Sequence, residues 1–345
     1  MKIIKLLTFF QNTIKVNITN LKYIFIIITL ILSFNTSGQI NPQIDYPIQY
    51  WNLNTGSKIA YYYFKGKEPR KPYPIIYLHG GPGAYISDEI ISAISKFSDY
   101  GYDVYLYDQI GCGKSIRLND IKEYTVKRHL LDLEEIANNI GAEKVIFIGH
   151  SWGASLAPLY LAKHPEKVLK IIFTGPGGII PKKININIPA PDSLKLSSNK
   201  YIDRINCLNE TGMIFFNNTW SKALSGKKTL SDTQFDSLFE KRFFCDSSIF
   251  KNADHGSEVG AYCNVRTSIF IRRGKNIRRL LKQINVPVLI LLGENDNLPW
   301  ACVDDYLKVF KNTKLDIIRN SGHNVFTYQP SVSIDLTIKF LNDNN

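Results

Sequence analysis

Residues 145–168 read VIFIGHSWGASLAPLYLAKHPEKV. Val145 to Ile148 is a β-branched and aromatic run that reads as a buried strand, and Ala154 to Lys163, rich in Ala and Leu, reads as a helix. A strand that passes into a helix through Gly149-His150-Ser151-Trp152-Gly153 must turn sharply. A Cβ at either flanking glycine would clash in that turn. The turn would lift the Ser151 hydroxyl above the sheet edge and aim a helix N-terminus at it. The G-x-S-x-G pattern alone is weak evidence, and the strand-then-helix context is what carries the reading. Pro158 lies inside the expected helix and removes one backbone hydrogen bond, so a kink is expected there.

The chain has 345 residues, enough for one large core or a core with an inserted subdomain. Its 44% hydrophobic and 12% aromatic content is ordinary for a globular enzyme. Residues 1–38 are different. They hold no acidic residue and four lysines, Lys2, Lys5, Lys15 and Lys22, followed by the apolar run YIFIIITLILSF from Tyr23 to Phe34. Small residues then precede Gln39. This order reads as a cleaved signal peptide over residues 1–38, implying export to the periplasm or medium. The alternative is a membrane anchor at residues 23–34, although that run is short for a span. Cleavage would remove four of the charges in the net +12 and leave +8. The densest basic cluster, RRGKNIRR from Arg272 to Arg279, has no interleaved aromatic residue and is expected to be a solvated helix face, so no nucleic-acid partner is implied. Five cysteines show no metal-ligand spacing; three of them, Cys207, Cys245 and Cys263, are close enough in sequence for one disulfide in an exported protein.

Working outward from Ser151, Tyr50 to Phe64 reads as a β-hairpin around Asn54-Thr55-Gly56. Residues 73–78, 102–108 and 168–173 read as strands, and Val126, Leu130, Leu133, Ala137 and Ile140 recur at helical spacing. Between residues 179 and 285 strand-like runs become scarce. The strand–helix rhythm resumes at residue 286, with a strand at 314–319 and a last helix at 331–341. The expected architecture is a mostly parallel α/β sheet built from residues 39–178 and 286–345, with residues 179–285 as an inserted helical lid.

A serine hydroxyl needs a base to take its proton, and the base needs a third group to hold its tautomer. His323, in NSGHNVF, and Asp296, in GENDNL, both follow predicted strands, as Ser151 does. All three can therefore converge on one sheet edge, in the chain order Ser, Asp, His. Asp304 and Asp305 are read instead as helix-start or solvent residues. LHGGPG, Leu78 to Gly83, follows the first core strand and lets bare backbone approach a ligand. The N–H groups of Gly81 and Trp152 are the candidate pair for an oxyanion.

HGGPG, DQIGCGKS, GHSWG, GEND and SGH occur in this order and resemble the proline iminopeptidase group of α/β-hydrolases over residues 45–343. The resemblance implies the α/β-hydrolase fold, with Ser151 as nucleophile, His323 as base, Asp296 as its orienter and Gly81 and Trp152 as oxyanion donors. Three departures concern the substrate. The group's D-Q-R-G has Ile110 in place of its arginine. TWSKALSGKK keeps Trp220 and Ser221 of a Trp-Ser-x-Trp-Glu stretch without its glutamate. Glu258 corresponds only loosely to a second amine-holding glutamate. The expected activity is release of an N-terminal proline or other amino acid from small peptides through an acyl-enzyme. The alternative is a carboxylic ester, lactone or amide hydrolase on the same triad. A catalytically dead binding protein would usually lack a triad member, and an epoxide hydrolase or dehalogenase would place Asp at position 151. No metal or organic cofactor is implied. The partner is a small peptide or small acyl compound, with no stable membrane association unless the N-terminal segment is retained.

Overall fold

A computed structural model describes residues 46–183, 185, 187–196, 208–243 and 258–343. The expected signal segment and anchor, residues 1–38, lie outside the described residues, as do Cys207 and Cys245. Among the described residues no helix is long and apolar enough to cross a membrane.

The chain enters through the hairpin β1 (Gln49–Asn52) and β2 (Lys58–Phe64), followed by β3 (Ile75–Leu78), helix α1 (Asp88–Ile94) and β4 (Val104–Tyr107). Helix α2 (Val126–Ile140), β5 (Val145–His150), α3 (Trp152–Lys163) and β6 (Val168–Thr174) come next. Between β6 and β7 the described residues hold α4 (Glu210–Leu224), α5 (Asp232–Phe243), α6 (Ala261–Ser268) and the short α7 (Arg278–Leu281). The chain closes with β7 (Val288–Gly293), α8 (Trp300–Val309), β8 (Thr313–Ile318), α9 (Val325–Tyr328) and α10 (Pro330–Asn342).

These strands form one eight-stranded sheet in the order β1-β2-β4-β3-β5-β6-β7-β8. β2 pairs antiparallel with both β1 and β4, and every pairing from β4 to β8 is parallel. A parallel sheet buries both faces, and the side-chain alternation shows it. Along β5, Val145 and Phe147 join the core packed under α2, α3 and α8, while Ile146 and Ile148 join the opposite core with α1, α9 and α10. Ser151 therefore stands at the carboxyl end of a central strand.

Three local features extend or correct the sequence reading. Pro158 lies inside α3, as expected, and the helix runs on to Lys163. The carbonyl of Ala154, which would have accepted from residue 158, accepts instead from the Tyr306 hydroxyl at 2.8 Å. The basic cluster is not wholly solvated, nor is Asp305 a solvent residue. Arg278 and Asp305 form a two-pronged ion pair, Nε to Oδ1 and Nη2 to Oδ2 at 2.7 Å each, with both side chains largely buried. Burial explains both, because a charged head enters the interior only with its partner.

Lys170 is the third. It sits in the apolar run of β6, and its ammonium donates to the carbonyls of Phe340, Leu341 and Asp343 at 2.9, 3.2 and 2.6 Å. These belong to the last turn and C-cap of α10, where carbonyls lack helical partners and favour a cation. Lys170 thus fastens the last helix to the sheet. Lys170→Met, which keeps the apolar stem and removes the ammonium, is expected to lower the unfolding free energy in urea by about 1–3 kcal/mol. An unchanged midpoint would show that water serves these carbonyls equally well.

Candidate active site

The backbone at Ser151 adopts φ 52° and ψ −107°, and the chain passes directly into α3. The flanking glycines make this turn fit. A Cβ on Gly149 would lie 2.9 Å from the backbone of Gly153 and Ala154, and one on Gly153 would lie 2.0 Å from the Leu78 carbonyl of β3. Each glycine lets one strand or helix backbone touch another. Ser151 N–H donates to Thr174 O at 3.0 Å, which ties the turn to the end of β6.

His323 and Asp296 reach the same edge on two loops that interlock. A Cβ on Gly293 would lie 2.0 Å from Gly322 O, and Asn295 N–H donates to Ser321 O at 2.9 Å. His323 Nδ1 lies 2.9 Å from Asp296 Oδ1, an oxygen that also accepts from Leu298 N–H at 2.8 Å. A carboxylate accepts only, so Nδ1 carries the imidazole proton and Nε2 is left to receive another. Asp296 is buried, and its Oδ2 has no hydrogen-bond partner among the described residues. The His150 ring packs against that of His323 with centroids 4.7 Å apart. Burial first, and then His323, hold the His150 imidazole well below the usual histidine range. The Ser151 hydroxyl makes no hydrogen bond among the described residues; such pairs often tighten only around substrate.

The Leu78–Gly83 loop runs beside this group. A Cβ on Gly80 would sit 3.1 Å from both Ser151 Cβ and His150 Cδ2. Gly81 has φ 112°, a conformation that favours glycine. Neither Gly81 N–H nor Trp152 N–H donates to another described residue, and Trp152 opens the first turn of α3, where N–H groups lack helical partners. The structure therefore brings Ser151, His323, Asp296, Gly81 and Trp152 to one place.

Glu258 is close but not free. Its carboxylate pairs with the Lys114 ammonium, and its carbonyl accepts from Gly113 N–H at 2.7 Å. Two residues on, Gly260 N–H donates to Gly83 O at 2.7 Å, and Asn264 Nδ2 donates to Pro82 O at 2.7 Å. The segment between β6 and β7 thus lies directly on the glycine loop. Beneath it, Asp108 accepts from Ile86 N–H and Lys114 N–H, and burial raises its carboxyl to about 7.

Two residues of this site escaped the sequence reading. Gly175, in FTGPGG after β6, is one: a Cβ there would lie 2.8 Å from Asp296 Oδ2, from His323 Nδ1 and from His323 O, and its φ is 49°. The glycine-rich run was visible, but its target, two loops over a hundred residues away, was not. Gln109 is the other. Gly175→Ala is expected to part His323 from Asp296 and to lower kcat on a chromogenic ester by about a hundredfold, with KM little changed. Wild-type kcat in a folded variant would show that the pair tolerates the methyl group.

Comparison with known proteins agrees with this geometry. A family model described as alpha/beta hydrolase fold matches residues 73–330, well over half of the chain. A proline iminopeptidase of Saccharolobus solfataricus is 26% identical over 257 residues, covering 72% of this chain and 78% of that protein. The proline iminopeptidase of Heyndrickxia coagulans is 35% identical over 123 residues, 35% of this chain and 41% of its own length. An esterase from Exiguobacterium antarcticum superposes with a TM-score of 0.56 at 17% identity, covering 86% of this chain and 99% of that structure. The last likeness speaks for the fold alone. With this sheet order and the family match over its central residues, the chain belongs to the α/β-hydrolase family and is similar to the proline iminopeptidases within it.

Proposed function

We propose that this hydrolase acts through Ser151 and releases an N-terminal proline, or another N-terminal amino acid, from small peptides. The observation that carries the reading is the joint placement of Ser151 on its strained turn and the His323–Asp296 pair at the same sheet edge. Ser151 Oγ attacks the scissile carbonyl while His323 Nε2 takes its proton, and Asp296 Oδ1 steadies the imidazolium through Nδ1–H. The N–H groups of Gly81 and Trp152 receive the oxyanion. Collapse breaks the C–N bond, His323 returns the proton to the leaving amine, and a water attacks the acyl-Ser151 ester in the same way.

The amine specificity rests on surroundings. Burial, and then the carboxylates of Glu258, Glu240, Glu89 and Asp108, push the Tyr85 phenol up, so the region beyond the glycine loop is rich in negative charge. A substrate ammonium leaving water needs such a counter-charge. The Lys114–Glu258 pair favours the second reading, hydrolysis of an uncharged ester, lactone or amide, because the best-placed glutamate already has a cation.

Prolyl anilide and short acyl esters offered side by side test the choice. On the first reading Glu258→Gln lowers turnover of prolyl anilide by about 10- to 100-fold, as expected for losing a charged hydrogen bond, and leaves ester turnover nearly unchanged. Equal losses on both substrates would make Glu258 a support of the fold. A wild-type enzyme that cleaves esters and no aminoacyl anilide would overturn the aminopeptidase reading in favour of the second.

A further inference from the structure

Gln109 follows β4 with about 1% of its surface exposed, and every polar group it has on this side is engaged. Its side-chain Nε2 donates to His79 O at 3.0 Å, and its side-chain Oε1 accepts from the Trp152 indole Nε1–H at 2.7 Å. Its backbone N–H donates to His79 Nε2 at 2.9 Å. With Nε2 accepting, the His79 proton sits on Nδ1, which donates to Gly80 O at 2.8 Å. Burial lowers the His79 imidazole to about 4, so this neutral tautomer persists at ordinary pH.

The Gly80 carbonyl and the Gly81 N–H belong to one planar peptide unit and point in opposite directions. Holding Gly80 O therefore aims Gly81 N–H. One side-chain amide spans the residue that aims the first oxyanion donor and the residue that carries the second. We infer that Gln109 is a positioning residue whose amide sets the distance and angle between the Gly81 and Trp152 N–H groups, and so the fit of the site to a tetrahedral oxyanion. This rests on the serine-hydrolase reading and not on the amine specificity. The chemistry selected is a tetrahedral acyl centre, whatever the leaving group.

The test uses the full-length enzyme, a p-nitrophenyl ester as substrate and benzeneboronic acid, which forms a tetrahedral adduct on an activated serine. Gln109→Met keeps the length and removes both side-chain hydrogen bonds. It is expected to lower kcat by about 10- to 100-fold, somewhat less than loss of a whole donor, with KM within about threefold. Boronate affinity should fall in step with kcat, and the pH dependence of kcat/KM should keep its shape because His323 is untouched. Trp152→Phe, which removes only the indole N–H, should give a smaller loss of the same kind. The double variant should be no worse than Gln109→Met alone. Boronate affinity and kcat within twofold of wild type in Gln109→Met would overturn the inference, as would a loss carried by KM, or fully additive losses in the double variant. Should Gln109→Met fail to fold, Trp152→Phe alone decides, since unchanged kcat and boronate affinity there would overturn the link to Trp152. A wild-type enzyme inert toward every acyl substrate would instead sink the hydrolase reading itself.

Discussion

Ser151 is a non-glycine residue held at positive φ, a conformation costing on the order of 1–3 kcal/mol that persists only where the surroundings over-determine it. Those surroundings can be named. Gly149 and Gly153 let the turn, α3 and β3 touch backbone to backbone, and Ser151 N–H is fixed to the end of β6. Filling either glycine would force apart a central strand and the helix that covers it. The arrangement of the sheet edge is built around this turn, because β3 brings the glycine loop to Ser151 and β6, bonded to Ser151 N–H, brings Gly175 against His323 and Asp296.

The second constraint is charge kept from water. Asp236 accepts from Ala261 N–H at 2.8 Å and pairs with Arg117 at 3.2 Å, while Arg117 also donates to the carbonyls of Glu258 and Val259. These groups fasten the helical segment to the loop after β4, while Gly260 N–H on Gly83 O and Asn264 Nδ2 on Pro82 O fasten it to the loop that carries Gly81. The junction is polar and densely bonded, with Arg117 Nε its one polar atom left without a partner among the described residues. The segment's bonds reach Pro82 and Gly83, so changes that loosen it also shift the neighbouring Gly81 N–H.

Much of this was legible in the chain itself. The glycine at 149 reports a steric requirement settled within five residues, although the one at 153 also answers to the Leu78 carbonyl of β3, and Asp296 and His323 declare themselves by following strands in the right order. Other features depend on partners far away. Lys170 interrupts an apolar run that reads as an ordinary strand, and only the docked α10 gives its ammonium three carbonyls. Arg278 looks like one charge in a solvated cluster until α8 supplies Asp305. Glu258 reads as a free carboxylate because Lys114 lies more than a hundred residues earlier. Local sterics can be read from sequence, whereas the pairing of buried charges is set by how the elements dock.

The central claim is that Ser151 is the group that becomes acylated. Reaction of the active enzyme with a fluorophosphonate, followed by peptide mass spectrometry, addresses it most directly, since such reagents phosphonylate a serine that a base has activated. The account predicts one adduct per chain, located on Ser151, forming at the rate at which ester hydrolysis is lost. Full loss of activity with the adduct on a different residue, or persistent hydrolysis by protein fully labelled at Ser151, would contradict it.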